Sequence, residues 1–153
     1  METNIKIKGW YEITIKDVNG KIKDTWTVDN LITNAGLAQL ALLSGDASAT
    51  PFTYLALGTG TTAAAASQTA LVTEIVDSGL ARAVGTVSRI TTTVANDTLQ
   101  IVYTWTPSGT KTIEEVGVFN AASVGTMLSR AVTGANAVVS GDQYIITYKL
   151  KFS

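Results

Sequence analysis

The chain contains no histidine and no cysteine. Without histidine it cannot form a Ser-His-Asp or Cys-His arrangement, and the usual proton carrier at neutral pH is missing. Without cysteine it has neither a disulfide framework nor a thiolate metal site, and its redox compartment stays open. Charge is scarce as well: charged residues make up 15%, and 11 basic against 12 acidic side chains leave a net charge of −1. That balance disfavours nucleic acid as a partner, because such binders display a basic excess. No apolar run reaches the roughly 18 residues of a membrane span. The longest low-charge stretches, 31–43 and 47–72, are interrupted by Gly, Ser, Thr or Pro. The N-terminus, Met-Glu-Thr-Asn-Ile-Lys-Ile-Lys, lacks the apolar stretch that a signal peptide needs. Synthesis in the cytoplasm is therefore expected, with no membrane partner.

What is present suffices for a core. Hydrophobic residues are 46% of the 153, and a single domain of that length buries roughly 70% of its unfolded surface. One domain, 1–153, is expected. Ile5, Ile7, Tyr11, Ile13 and Ile15 share one parity, while Lys6, Lys8, Glu12, Thr14 and Lys16 share the other. This predicts a strand with one dry and one wet face. Gly9 interrupts the dry face and marks a bulge or a close backbone approach. Asn19-Gly20 predicts a type I′ hairpin turn, after which 22–28, carrying Trp26, returns as a second strand. A helix follows over about 34–44, with Thr33 or Asn34 as its N-cap and Leu37, Leu40 and Ala41 on one face. Gly45 stands where a C-terminal αL residue belongs, and the helix is expected to cover an open side of a sheet.

Tyr54 to Leu57 reads as a buried strand, and Gly58 and Gly60 as a sharp turn that uses φ > 0. Ser67 or Thr69 then caps a short helical turn. Residues 81–94 read as one long strand or as two with a kink at Gly85. After an Asn96-Asp97 turn, Leu99, Ile101, Tyr103 and Trp105 alternate with Gln100, Thr104 and Thr106, with Val102 as the exception. Short strands follow at 111–119 and 125–132, with a linker or edge piece at 134–139. The last segment, 143–152, repeats the alternation of the first, with Tyr144, Ile146, Tyr148, Leu150 and Phe152 on one face. About eight or nine strands and one helix predict a mainly β fold, an antiparallel sandwich or flattened barrel. First and last strands match in length and polarity and are expected to pair.

Candidates for chemistry are few. Glu74, Asp77, Asp97, Glu114, Glu115 and Asp142 are the carboxylates that acid–base work would draw on. Glu114 and Glu115 are adjacent on a predicted strand and point to opposite faces, so they cannot cooperate. No catalytic pair and no cofactor is expected. Gly58-Thr59-Gly60-Thr61-Thr62 has the small residues of an anion-binding loop. It lacks the Lys-Ser/Thr of a P-loop and the third glycine of a dinucleotide fingerprint, so a tight turn leaving a buried strand is the plainer reading. No Asp-rich loop with calcium-binding spacing occurs, and no metal site is expected. One of Glu114 and Glu115 must face inward, and a buried carboxylate needs a cation or several donors. Arg130, across a hairpin closed by 120–124, is the natural partner for a structural ion pair with Glu115; Arg82 and Arg89 are the alternatives.

Three motifs occur in series: Asn30-Leu-Ile-Thr-Asn-Ala-Gly-Leu-Ala-Gln-Leu-Ala41; Leu55-Ala-Leu-Gly-Thr-Gly-Thr-Thr62 with Thr69-Ala-Leu71 and Glu74; and Glu115-Val-Gly-Val-Phe-Asn120 with Gly125-Thr-Met-Leu-Ser-Arg130. Together they resemble a family of tailed-bacteriophage virion proteins described as tail-fibre-like or structural, over about Gly9 to Phe152. The resemblance implies a non-enzymatic structural protein of the virion, made in the host cytoplasm. It implies a self-assembled symmetric oligomer, trimer first, bound to other phage structural proteins. Fibre proteins carry a shaft or receptor-binding tip beyond the attachment region, whereas this sequence stops at Ser153. That departure favours a tail adaptor, collar or baseplate piece, or a capsid decoration protein, over a receptor-binding fibre.

The residues suit such a role. Small residues and threonines at 47–50, 59–69 and 121–126 allow close packing between copies, which makes Gly58 to Thr62 a candidate interface loop. Low charge with three Trp and five Tyr suits protein–protein contact. A carbohydrate-binding module that reads a host-surface glycan is the rival from another class. Its stacking platform would be Trp10, which lies on the polar parity of the first strand; Trp26 and Trp105 read as core.

Overall fold

The computed structural model describes residues 1–153. The chain forms β1 (Ile7–Lys16), β2 (Ile22–Asp29), β3 (Leu31–Ile32), α1 (Asn34–Leu43), β4 (Tyr54–Gly58) and β5 (Ala83–Val84). It continues with β6 (Thr86–Ile90), β7 (Thr98–Trp105), β8 (Lys111–Phe119), β9 (Met127–Val138) and β10 (Gln143–Phe152). Two five-stranded antiparallel sheets result, β2-β1-β10-β7-β6 and β3-β9-β8-β4-β5. Tyr11, Ile13, Ile101, Ile146 and Tyr148 of the first sheet meet Leu55, Leu57, Val116 and Val118 of the second in one buried cluster. The fold is thus a β-sandwich with one helix; neither sheet closes into a barrel.

First and last strands pair along their whole length, from Ile7↔Phe152 to Lys16↔Gln143. Their alternation makes this register compulsory, since a slip of one residue would turn every buried side chain to water. Tyr11, Ile13 and Ile15 are buried, as are Tyr144, Ile146, Tyr148 and Leu150. Ile5 shares their parity but precedes β1 and is exposed.

Several local expectations are corrected. Asn19 keeps a negative φ and only Gly20 turns to +83°, so the first hairpin does not use a type I′ turn. Asp17 decides the turn instead: its Oδ1 accepts from the amides of Asn19 and Lys21, each at 2.9 Å. Residues 81–94 do form two strands parted at Gly85, as the second of the two readings has it, and these join different sheets, β5 pairing with β4 and β6 with β7. A Cβ at Gly85 would come within 2.5 Å of Ile101 Cγ2, so the crossing runs too close to the core for a side chain. The segments 125–132 and 134–139 are one strand, β9, which absorbs Gly134 at φ +77° near a bulge between Ile113 and Glu115. With the two-residue β3 and β5, the strands number ten rather than eight or nine.

Thr33 is the N-cap of α1. Its hydroxyl accepts from the Gly36 amide at 2.9 Å and donates to the Met127 carbonyl at 2.6 Å, which also ties the helix to β9. Gly36 is the one buried residue of α1, where a Cβ would lie 2.5 Å from the Leu128 carbonyl oxygen. The helix therefore rests on the β9 edge of the second sheet. Gly45 does not take the αL conformation. The amides of Ser44, Gly45 and Asp46 already satisfy the Leu40, Ala41 and Leu42 carbonyls, so no left-handed residue is required.

Candidate functional site

Between β4 and β5 the chain leaves the sheet for residues 59–82 and makes only an isolated bridge, Gly58↔Glu74. The expected helical turn at Ser67 or Thr69 is absent. Gln68 organises a tight turn instead, its Oε1 accepting from the Ala65 amide at 2.9 Å. The excursion folds over the outer face of the second sheet. Leu71 there joins Ala56, Phe119 and Met127 in a second, smaller cluster.

Glu115 is what the excursion is fastened to. The bulge after Ile113 changes the parity of β8, so Ile113, Val116 and Val118 face the inter-sheet core while Phe119 belongs to the outer cluster. Glu115 Oε1 accepts from the amides of Gly60 at 3.0 Å and Thr73 at 2.8 Å. Its Oε2 accepts from the Val72 amide at 3.1 Å and from Arg130 Nε at 2.6 Å. Arg130 Nη1 donates in turn to the Thr62 carbonyl at 2.8 Å and to Gln68 Oε1 at 3.2 Å. The two side chains are 0% and 1% exposed. A buried carboxylate without such donors would cost several kcal/mol, about 3–5 when one partner of a buried pair is removed.

Arg82, the alternative partner for Glu115, serves a different carboxylate. Its Nε and Nη2 donate to the two oxygens of Glu74 at 2.9 and 2.7 Å. Nη1 reaches the carbonyls of Ala121 at 3.0 Å and Val124 at 2.9 Å, and the guanidinium lies 3.6 Å from the centre of the Phe119 ring. Arg82 thereby joins the far end of the excursion to the β8–β9 hairpin. Nothing local in the sequence pairs Glu74 with Arg82. Their spacing of eight along an irregular loop carries no periodic signal. Arg89 is exposed on β6 and pairs with neither glutamate.

Gly58 and Gly60 do not adopt φ > 0. They are glycines for room: a Cβ on Gly60 would sit 2.5 Å from both Glu115 Oε1 and Val72 Cβ, and one on Gly58 would collide with the same carboxylate oxygen. Both are buried, so within the candidate interface loop only Thr61 and Thr62 are exposed, and Thr59 is half-buried. The loop's amide and carbonyl groups turn inward to the ion pair. Glu115 takes four donors, and neither it nor Arg130 lines any of the principal surface depressions. What this arrangement can do is hold a loop still.

Of the remaining candidate carboxylates, Asp77, Asp97 and Asp142 have partners. Asp77 pairs with Lys111 at 2.9 Å on the surface. Burial pushes the Asp142 carboxyl up, but the Lys23 ammonium at 2.7 Å and the Val139 amide outweigh it and hold Asp142 below the usual carboxylate range. The amides of Val94, Thr92 and Thr93 and the Thr98 hydroxyl hold Asp97 far below that range while fixing its turn. Glu114 is half-buried at the bulge. No three acidic residues converge as a metal site would require.

Two surfaces stand apart from this. Trp10 is half-buried on the outer face of the first sheet, as its parity predicts, and its Nε1 donates to Glu12 Oε1 at 3.1 Å. Burial pushes Glu12 up, yet the hydrogen bonds from Lys149 and Trp10 hold it below its ordinary value. Trp105 is buried and donates to the Ala81 carbonyl at 2.8 Å, and Trp26 packs half-buried against the core. Beside Trp10 lies a depression of about 310 Å³ lined by Lys8, Thr27, Asp29, Thr92 and Lys151. A larger groove of about 510 Å³ runs between α1 and the ends of β1 and β10, lined by Ile7, Leu37, Leu40, Leu43 and Phe152 with Ile5. Compared with models of protein families, with curated proteins and with solved structures, the chain gives no match.

Proposed function

We propose that the protein is a non-enzymatic structural component of a tailed-phage virion that assembles with copies of itself and binds other virion proteins. The sequence resemblance supports the setting, and the surface around α1 carries the self-assembly. Residues 30–45 contain no charged side chain. Leu37, Ile5 and Phe152, 47%, 69% and 38% exposed, line the 510 Å³ groove, while Leu42 of α1 and Leu31 of β3 are 48% and 38% exposed outside it. A helix apolar on all sides belongs in an interior, yet α1 buries only Gly36 within the monomer. Contiguous apolar surface of this kind marks an interaction site.

The occupant favoured here is a second copy. The opposite edge strand of the second sheet, β5, presents Val84, 58% exposed, and the β8–β9 loop held by Arg82 presents Val124, 86% exposed. An apolar edge on one copy meeting an apolar edge of the next gives a head-to-tail contact, which closes into a ring when the rotation permits. A homotrimer is the assembly expected first. Sedimentation velocity at micromolar concentration should show the oligomer, and Leu37→Lys with Leu42→Lys should dissociate it while leaving the circular dichroism unchanged. A wild-type protein that sediments as a monomer, and is found without like neighbours in a reconstructed particle, would overturn the proposal. Placement at a tail adaptor, collar or baseplate is favoured over head decoration, and the same reconstruction distinguishes them.

A further inference from the structure

We infer that the depression beside Trp10 is a subsite for an acidic sugar unit of an oligosaccharide. The inference is independent of the assembly proposed above, because it concerns the outer face of the other sheet. β1 and β10 place Lys8 directly opposite Lys151. Like charges at facing positions of a sheet are destabilising unless something compensates them. None of the protein's ion pairs includes either lysine: the five pairs use Lys23, Arg82, Lys111, Arg130 and Lys149. Lys151 reaches only the Thr93 hydroxyl, at 2.6 Å. The register therefore sets two lysines opposite each other, neither in an ion pair, on a depression that Trp10 also lines.

The rest of the lining selects among anions. Trp10 supplies an aromatic surface, whose π-face suits the C–H face of a sugar ring, and its Nε1 is engaged by Glu12, which fixes the indole. Thr27 presents a hydroxyl, that of Thr92 is engaged with the Thr98 hydroxyl at 2.6 Å, and Asp29, paired in register with Trp10, presents a carboxylate with no ion-pair partner. Asp29 would repel a polyanion such as nucleic acid or a run of acidic side chains. A sugar ring bearing one carboxylate or phosphate satisfies both halves: its anion lies on Lys8 and Lys151, and its hydroxyls donate to Asp29.

The experiment is a screen of the intact protein on an array that pairs acidic oligosaccharides (uronate-, sialate- and phosphate-bearing) with their neutral counterparts. Amide and indole chemical-shift titration with the best acidic hit and its neutral counterpart follows, with hexaglutamate as a third probe. The expected result is a shift of the Trp10 indole signal, with binding at least tenfold weaker for the neutral counterpart. Lys8→Gln with Lys151→Gln should remove that preference, and Trp10→Ala should abolish the response to both sugars while the fold is kept. No acidic hit, equal binding of the neutral counterpart, hexaglutamate binding as tightly as the sugar, or variants that bind like wild type would each overturn the inference.

Discussion

The two sheets solve the same burial problem in different ways. The first sheet has one dry face and one wet face, so Tyr11, Ile13 and Ile15 alternate with Lys8, Glu12 and Lys16. The second is covered on both faces, by the first sheet on one side and by the excursion 59–82 on the other. Covering the second face with irregular backbone creates a difficulty, because amides and carbonyls of a loop laid on a sheet must find partners there. Glu115 and Arg130 meet that need, one taking the amides of Gly60, Val72 and Thr73 and the other the carbonyl of Thr62. A sheet open to water needs alternation alone, whereas a sheet beneath a loop needs a charged peg.

This contrast is open to test, and the largest effect is expected at the peg. Glu115→Ala leaves Arg130 buried without its carboxylate and should cost about 3–5 kcal/mol in urea unfolding. Hydrogen exchange at Gly60, Val72 and Thr73 should accelerate while the β1–β10 amides keep their protection. Replacing both members with apolar residues, Glu115→Leu with Arg130→Met, should restore part of the stability but leave the loop amides exchanging fast.

Alkali should instead strike the first sheet. Burial raises Tyr11, Tyr144 and Tyr148 above the ordinary value of 10.0, with the Tyr148 charge adding to the effect at Tyr11. A group whose folded pKa is raised stabilises fully below its unfolded pKa, because folded and unfolded states are then equally protonated. Above it the unfolded chain ionises and the folded one does not. Stability should therefore fall as pH rises beyond about 10, by about 1.4 kcal/mol per pH unit for each tyrosine. Denaturant midpoints measured across that range check the slope.

Smaller effects separate the two uses of glycine. Gly60→Ala forces a methyl against the Glu115 carboxylate and should cost about 1–3 kcal/mol by overpacking. Gly20→Ala meets open space and only the strain of φ +83°, and should cost about 1 kcal/mol. If Gly60→Ala proved harmless in a thermal melt, the close approach of the loop to Glu115 would be wrong.

Legibility followed the same division. Strands of the first sheet were readable because an exposed face writes its parity into the chain: 143–152 repeats the pattern of β1, and the two pair throughout. In the second sheet, Val116-Gly117-Val118-Phe119 is apolar on both parities, so alternation gives no face and no register. Gly85 marked a break in a strand-like run, but nothing local says that the two halves join different sheets. At Gly58 and Gly60 the residue type was informative and its reason was not, because the obstructing group is Glu115, far along the chain. Glu74 and Arg82 were visible singly, and their pairing through the irregular loop was not.

The sequence by itself determined a mainly β domain, the hairpin at Asn19-Gly20, the helix after Thr33, the outward placing of Trp10, and the need for a partner at one of two adjacent glutamates. Those features depend on periodicity, on capping chemistry, or on the cost of an unpaired buried charge, all of which are local. Only the tertiary structure decided which strands share a sheet, that a bulge turns Glu115 beneath the excursion, and that the same fold sets Lys8 beside Lys151. Each of these brings together groups distant in the chain, and which groups meet depends on the packing of all the strands at once.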